Sequence, residues 1–312
     1  NLAAAPKLAN YTGKNVVYTS TEASANLPVA ASSNGGTQNT LEVGDATTAA
    51  VLGNISPDGL FSKINLLNGI AGTINTVNMS NDTVYSVPVV QLGGTFETIG
   101  NLTGHGSNQH VVLVTSPTQR LLPSVASGTF RLVFDTDADT TAILTIPNGY
   151  ASLEVKSGSL SGNINTTSMS TQALKLQGGS VTGAINMNEG TLSVEDTALG
   201  NVPVIASGDN TLEINLSNSG STTGFTEFKP TAGYKRILLT QGVLSTTSVD
   251  GQIDTGSMTE PTIEFASSNA SVAGGKSILM SNGTIKYSNA GAATSLPTLV
   301  GSGNTLEFAG AS

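Results

Sequence analysis

Short triplets, in which two apolar residues flank a third residue of any type, recur along the chain at a nearly constant interval. The phrase Asn-Thr-Leu-Glu followed by an apolar residue occurs three times, at 39–43, 210–214 and 304–308. The triplets begin at Leu41, Ile64, Val90, Val112, Leu132, Leu153, Leu174, Leu192, Leu212, Leu238, Ile263, Ile285 and Leu306. Their intervals run from 18 to 26 residues and average about 22. This period is typical of a solenoid, because one coil cannot bury its own apolar face and must stack on its neighbours.

Two consecutive repeats, at 153–165 and 174–186, match closely in the order of apolar triplet, glycine-bearing corner and second short strand. The equal register predicts four stacked pairs: Leu153 with Leu174, Val155 with Leu176, Ile164 with Ile185 and, on the outside, Glu154 with Lys175. We therefore expect an all-β fold, a right-handed parallel β-helix or solenoid with coils of about 22 residues. Tandem antiparallel β-sandwiches are the alternative, since alternation by itself does not distinguish parallel from antiparallel pairing.

The domain organisation follows from where the period begins. Residues 1–40 are less regular, with a first strand at 16–18, and we expect them to cap a solenoid of residues 41–312. The long intervals from Leu212 to Leu238 and from Leu238 to Ile263 predict loop insertions at 219–224 and 251–256. Loops carried on a rigid scaffold are where binding surfaces usually lie.

Composition restricts the class of partner. Only 11% of the residues are charged and the net charge is -9, so the predicted surface is rich in hydroxyl and amide groups. Twelve scattered Lys and Arg residues argue against nucleic-acid binding, which needs clustered positive charge. The chain has no cysteine, which excludes disulfides and thiolate metal sites, and no run of 18 apolar residues that would predict a transmembrane helix. The alanine-rich opening at 1–6 resembles a terminus trimmed after a small-residue cleavage site.

One cluster of acidic residues is a candidate ion site. Asp135, Asp137 and Asp139 alternate along the chain, and carboxylates spaced in this way in an extended loop can converge on calcium. Calcium is therefore the one candidate cofactor, and a solvated acidic turn is the alternative. The histidines, His105 and His110, are expected to be solvated loop residues rather than metal ligands.

Catalytic chemistry has little support in the sequence. Glu154, Glu195 and Glu213 lie beside predicted strands on different coils. General acid and base catalysis on a glycan needs two carboxyl groups within about 5 to 10 Å of each other, and no such pair is evident. We expect a protein that is not an enzyme, and a carbohydrate-active β-helix enzyme is the least favoured alternative.

The repeats lack Cys and Trp, are rich in Gly, Asn, Thr and Ser, and contain the phrases at 210–214 and 179–186. In this style they resemble the passenger regions of bacterial autotransporters, including rickettsial-type surface antigens. The resemblance implies a secreted or surface-displayed β-solenoid that acts as an adhesin or a surface-coat component. The expected function is a non-enzymatic structural or adhesive protein, extracellular or on the bacterial cell surface, that binds a host-cell or glycan receptor. A self-assembling surface-layer or fibre subunit, whose partners are neighbouring copies, is the alternative.

Overall fold

The fold was obtained as a computed structural model. The structure describes residues 15–18, 39–43, 54–55, 61–66, 73–79, 89–93, 98–104, 109–116, 122–140, 144–195, 200–218, 221–247, 251–288 and 296–309. Within these ranges the regular elements are all β-strands, and none is a helix. The chain divides into two compact units, Asn1–Leu153 with Ser168–Ser170, and Glu154–Thr167 with Thr171–Ser312.

The first unit is built from strands that alternate between two parallel sheets. Its strands are β1 Asn15–Tyr18, β2 Asn39–Val43, β3 Asn54–Ile55, β4 Phe61–Leu66, β5 Thr73–Met79, β6 Val89–Leu92, β7 Thr98–Gly104, β8 Gln109–Val114, β9 Ser124–Ser127, β10 Thr129–Thr140, β11 Leu144–Thr145 and the start of β12, Tyr150–Leu160. The main sheet runs in the order β1, β2, β4, β6, β8, β10, and a second sheet in the order β3, β5, β7, β9. Each coil therefore contributes one strand to each sheet.

The register of the first unit confirms the predicted apolar rows. Leu41, Ile64, Val90, Val112 and Leu132 are direct partners along the main sheet, and β1 adds Val16 to the same row. From Ile64 onward these side chains are fully buried, as are Leu66, Leu92, Val114 and Phe134 in the next inward row. Full burial of one such side chain stabilises the fold by roughly 1.5 to 3 kcal/mol, so the two rows form the core of this unit.

The second unit repeats this arrangement. After the end of β12 its strands are β13 Ile164–Asn165, β14 Ala173–Leu176, β15 Ser180–Val181, β16 Ile185–Asn186, β17 Thr191–Val194, β18 Asn210–Asn215, β19 Tyr234–Leu244, β20 Gln252–Asp254, β21 Thr262–Phe265, β22 Ala270–Val272, β23 Ser277–Leu279, β24 Thr284–Tyr287, β25 Thr298–Val300 and β26 Thr305–Phe308. The main sheet runs in the order β14, β17, β18, β19, β21, β24, β26, and β20, β23 and β25 form a second sheet.

The prediction for one triplet of this unit is wrong by one residue, because the triplet begins at Ile237 and not at Leu238. The inward row consists of Leu174, Leu192, Leu212, Ile237, Ile263, Ile285 and Leu306. Leu238 instead pairs with Glu213 and Glu264 in the outward row. Three consecutive apolar residues at 237–239 hide the alternation, and a register shift between Asn210 and Thr211 adds one residue to this coil.

The strand pairings establish the fold class. Every strand pair whose register is described is parallel, and successive coils are about 21 residues apart. The predicted β-solenoid is confirmed and the antiparallel sandwich is excluded. Ile164 lies opposite Ile185, as predicted. The boundary near residue 40 between a cap and the coils stays a prediction, because most of residues 1–40 lie outside the described ranges.

Two asparagines of the repeated phrase form side-chain hydrogen bonds to the backbone of neighbouring coils. The side-chain Nδ2 of Asn210 donates to the carbonyl oxygens of Met187 (3.2 Å) and Gly233 (2.8 Å), while its Oδ1 accepts from Gly190 N at 2.8 Å. These partners belong to the coils before and after β18. Asn304 repeats half of the pattern, donating to Met280 O at 2.8 Å and accepting from Gly283 N at 3.1 Å.

Each unit also contains a buried tyrosine that is tied to an earlier coil. The Tyr150 hydroxyl donates to Pro123 O at 2.9 Å in the first unit, and the Tyr234 hydroxyl donates to Pro203 O at 2.8 Å in the second. Burial raises the pKa of both phenols above the ordinary value, because the charged phenolate would lose its water.

Candidate functional site

The predicted calcium ligands lie in a strand rather than in a loop or a turn. Asp135 is exposed on β10 and the next residue, Thr136, is buried, which is the alternation of a half-buried strand. The expected acidic turn is therefore wrong. Asp137 and Asp139 belong to the same strand, but their side chains lie outside the described part of the structure. Among the residues described, no group of three or more His, Asp or Glu side chains converges, and the calcium site stays a prediction.

His110 is not the solvated loop residue that was expected. It belongs to β8, is fully buried, and stacks on Phe130 with ring centroids 4.9 Å apart. The ring occupies space beside Gly104, where an added Cβ would collide with it. His110 is thus a core residue of the first unit, while His105 lies outside the described residues.

The described residues of the two predicted loop insertions in the second unit mostly pair with the backbone of neighbouring coils. Within 251–256 the strand β20 pairs with β23, and Ile253 is fully buried. Within 219–224, Thr222 and Thr223 bond to the backbone of the segment at 243–245. The extra residues close the coil with Phe225 and Phe228, which are buried and pack edge to face at 5.1 Å. The described residues of both segments therefore pack against neighbouring coils, and a binding role for these segments stays a prediction.

The three carboxylates considered for catalysis have different described surroundings. Lys175 Nζ lies 2.8 Å from Glu195 Oε2. The stacking of Glu154 with Lys175 stays a prediction. Ser193 Oγ donates to Glu213 Oε2 at 2.5 Å. Glu154 is nearly buried. The described partners of Glu195 and Glu213 are therefore a lysine and a serine on neighbouring strands.

The outward rows of the main sheet in the second unit carry the best candidate for a ligand-binding surface, hereafter the outer face. The register aligns one row of Thr191, Thr211, Arg236, Thr262, Thr284 and Thr305, and a second row of Lys175, Ser193, Glu213, Leu238, Glu264, Lys286 and Glu307. Neighbouring parallel strands are about 4.8 Å apart, so hydroxyl and charged groups repeat at that spacing on a fixed backbone.

Part of the outer face forms an open groove of about 540 Å³. It is lined by Asp209, Thr211, Lys235, Arg236, Thr262, Glu264, Thr284, Lys286 and Glu307. Three of these side chains are cationic and three are anionic, so the groove has no net charge when all six are ionised. Lys235 lies 3.5 Å from Asp209 at one edge of the groove, where both side chains are exposed.

Glu264 is the electrostatic centre of the groove. Its side chain is only 9% exposed, accepts hydrogen bonds from Arg236 Nη2 at 2.6 Å and Ser288 Oγ at 2.5 Å, and lies 3.8 Å from Lys286 Nζ. Burial acts to raise the pKa of Glu264, but the two hydrogen bonds and the charges of Arg236 and Lys286 outweigh it and hold the pKa below its ordinary value. Glu264 is consequently a fixed anion that orients two cations.

Glu264 is poorly suited to act as a general acid, whereas the groups around it can bind a polar ligand. A general acid at neutral pH needs a raised carboxyl pKa, and the pKa of Glu264 is shifted the other way. The exposed ends of Arg236 and Lys286 and the hydroxyls of Thr262 and Thr284 offer hydrogen bonds to a polar ligand. Sequence reasoning missed these residues, although the middle positions of aligned triplets would have revealed the row that contains Glu264 and Lys286.

Comparison with known proteins adds no relative. No protein-family model, no curated protein sequence and no solved structure matches this chain. In the portion of the chain that the structure describes, no helix is long and apolar enough to cross a membrane.

Proposed function

We propose that this chain is a secreted or cell-surface structural and adhesive protein, and that the outer face of its second unit binds a glycan receptor. The observation that carries the proposal is the groove, where threonine hydroxyls and paired charges repeat along parallel strands with their side chains held by neighbours. A preorganised surface of this kind binds with little loss of conformational freedom.

The balance of charge favours a glycan over other polar ligands. Alternating cations and anions disfavour a polyanion, because Glu264 and Glu307 would face it together with the cations. Hydroxyl groups both donate and accept, so a polyhydroxylated chain can satisfy threonine hydroxyls, guanidinium and carboxylate groups at once. A linear glycan can also contact several strands, because the pattern repeats from coil to coil.

The expected location supports this function. The polar, weakly charged and cysteine-free composition fits a chain displayed outside the cell, and the repeat style resembles that of surface antigens. Such a protein needs no cofactor for binding. Calcium stays a separate prediction for the aspartates of β10.

Binding of the purified chain to a glycan array and to cultured host cells tests the proposal. The double variant Thr262→Val and Thr284→Val removes two hydroxyls of the groove but keeps β-branched side chains, and we expect it to weaken binding about tenfold, or roughly 1.4 kcal/mol. Thr191→Val is the matched control, because Thr191 lies in the same row but outside the groove.

Three results would contradict the proposal. The first is binding that Thr191→Val weakens as much as the double variant does, since the groove would then have no special role. The second is cleavage of the bound glycan, which would make the chain an enzyme. The third is absence of binding to any glycan or host cell, which would reject the receptor-binding role.

A further inference from the structure

The cluster of Arg236, Glu264 and Lys286 in the groove places two cations around one anion. Arg236 Nη2 lies 2.6 Å and Lys286 Nζ lies 3.8 Å from the same oxygen, Glu264 Oε2. The pair of Lys235 and Asp209 at the edge of the groove instead joins one cation to one carboxylate. The cluster therefore has one positive charge in excess when its three groups are ionised, whereas the pair at the edge has none.

The anion of this cluster is shielded from a ligand, while both cations are accessible. Oε1 of Glu264 accepts a hydrogen bond from Ser288 and Oε2 accepts one from Arg236, and the side chain is nearly buried. The side chains of Arg236 and Lys286 are 42% and 36% exposed. Because the pKa of Glu264 is held below its ordinary value, its carboxylate stays charged at neutral pH and keeps both cations in position. A ligand in the groove therefore contacts the cations and not the carboxylate that orients them.

A carboxylate is the ligand group that suits these two cations. A guanidinium group has five N–H donors and an ammonium group has three, so both side chains keep donors beyond those directed at Glu264. Hydrogen bonds from such cations to a carboxylate are about twice as strong as those between neutral groups. A neutral hydroxyl can accept from the same donors, but only an anion offsets the excess positive charge of the cluster.

Anionic side chains farther along the row limit the site to one ligand carboxylate. Glu213 on β18 and Glu307 on β26 occupy the same outward row as Lys286, one on each side of it. Among the described residues, the ion pair of Lys286 is with Glu264, and none joins it to Glu307. A second ligand carboxylate along the row would face Glu213 or Glu307, and like charges brought together cost binding energy. Neutral hydroxyl-bearing groups suit those positions.

We propose that Arg236 and Lys286 bind the carboxylate of a single acidic sugar within an otherwise neutral glycan. The inference rests on the proposed function, because it takes a glycan in the groove as given and specifies its chemistry. The acidic sugar contacts the two cations, and neutral sugars beside it contact the hydroxyls of Thr262 and Thr284. A sugar carboxylate of this kind occurs in a uronic acid inside a chain and in a sialic acid at the end of one.

Titration calorimetry with matched acidic and neutral oligosaccharides tests the proposal. One pair is a neutral oligosaccharide carrying one internal glucuronate and its carboxyl-reduced form, in which the glucuronate has become glucose. The other pair is sialyllactose and lactose. We expect the acidic member of one pair to bind about tenfold more tightly than its neutral counterpart, and that pair identifies the source of the carboxylate. Oligogalacturonate, in which every sugar is acidic, should bind more weakly than the oligosaccharide with one glucuronate.

Variants of two lysines in the same outward row assign the preference to the cluster. Lys286→Gln removes one cation and leaves both hydrogen bonds of Glu264 in place. It should abolish the preference for the acidic sugar and leave the affinity for the neutral form nearly unchanged, and Lys286→Arg should restore the preference. Lys175→Gln is the matched control, because Lys175 is also 36% exposed but lies outside the groove and is paired with Glu195. This control should keep the full preference.

The outcomes separate this inference from the proposed function. Equal binding of the acidic and neutral forms, weakened in both by the double variant Thr262→Val and Thr284→Val, would overturn this inference and leave the proposed function standing. Absence of binding by every one of these glycans would reject both. Tighter binding of oligogalacturonate than of the single-glucuronate chain would overturn the limit to one carboxylate. A peptide of alternating glutamate and serine that bound as tightly as the acidic glycan would overturn the assignment to a sugar.

Discussion

The same five-residue phrase occupies two different environments in the second unit. At 210–214 it forms β18, where Leu212 and Ile214 are fully buried, and at 304–308 it forms β26, where Leu306 and Phe308 are half exposed. Both copies occupy the same register rows. The difference is that β18 is paired on both sides, whereas β26 has one described neighbour. Burial here is a property of stacking and not of the phrase.

This comparison shows how stability is distributed in a stack of coils. In a coil with two neighbours, each core side chain packs against the coil before it and the coil after it. In a coil with one neighbour, each core side chain packs on one side only. Stability is then close to a sum of terms between adjacent coils. Equivalent substitutions in the two copies of the phrase should therefore differ in cost.

The largest difference is expected for the central leucine of the phrase. Leu212→Ala leaves a cavity between two coils and should lower the free energy of unfolding by about 2 to 5 kcal/mol. Leu306→Ala should cost less than about 1 kcal/mol, because 40% of that side chain already faces water. Urea unfolding of dilute monomeric protein measures both. Equal losses would show that β26 is covered as fully as β18.

The asparagine of the phrase should show the next largest difference. Asn210→Ala leaves Gly190 N and Met187 O without their side-chain partner in a buried site and removes one of the two bonds to Gly233 O, at a cost of about 3 kcal/mol. Asn304→Ala removes two bonds that are only partly buried, and about 1 kcal/mol is expected. Urea unfolding gives the loss in free energy of unfolding for each variant. Equal losses would contradict the role of Asn210 in bonding to both the preceding and the following coil.

Glu264 and Glu307 occupy the same outward row and should differ in their response to pH. Since the pKa of Glu264 is held below its ordinary value in the fold, its stabilising contribution is complete above about pH 4.3, the pKa of an unfolded glutamate. It is lost as the pH falls from there through the folded pKa. Glu264→Gln should therefore reduce stability by about 1 to 2 kcal/mol at neutral pH and flatten the acid limb of the curve.

The matched control for this pH dependence is Glu307→Gln, which alters an exposed carboxylate of the same row. Chemical unfolding at a series of pH values from neutral to acid compares the two variants with the unmodified chain. An acid limb that is steep in Glu264→Gln and flat in Glu307→Gln would reverse the assignment.

The smallest difference is expected for the glutamate of the phrase itself. Glu213→Gln weakens a charge-assisted bond from Ser193 on the neighbouring strand and should cost about 0.5 to 1 kcal/mol. Glu307→Gln should change stability by less than about 0.3 kcal/mol, as exposed charges contribute little. Thermal unfolding at low and high salt compares the loss of stability in these two variants. A larger effect at Glu307 would indicate an ionic contact in the last coil.

The core rows were predictable because a parallel solenoid repeats one physical requirement in every coil. The apolar-x-apolar triplets alone placed Ile64, Val112 and Leu192 correctly in the inward row, opposite the first residue of the preceding triplet. The exception, Leu238, lies in a run of three apolar residues where alternation carries no information. Register shifts of this kind depend on hydrogen bonds between coils, which a single strand does not encode.

The groove was harder to predict because its residues are far apart in sequence. Arg236, Glu264 and Lys286 lie on three different strands, and their contact depends on a register fixed by the core. Local clusters were misleading for the same reason. His110 lies in a polar stretch of sequence, yet the stacking of coils places it in the core against Phe130.

The tethered tyrosines give each unit its own optical reporter. The chain contains no tryptophan, so its near-ultraviolet absorbance and intrinsic fluorescence come from tyrosine and phenylalanine. Tyr150 in the first unit and Tyr234 in the second keep their protons at alkaline pH for as long as their coils stay closed, because burial raises the pKa of both phenols. After a jump to high pH, the rate at which phenolate absorbance appears thus measures the rate at which the coil around the tyrosine opens. Replacing one tyrosine at a time by phenylalanine assigns each kinetic phase to its unit.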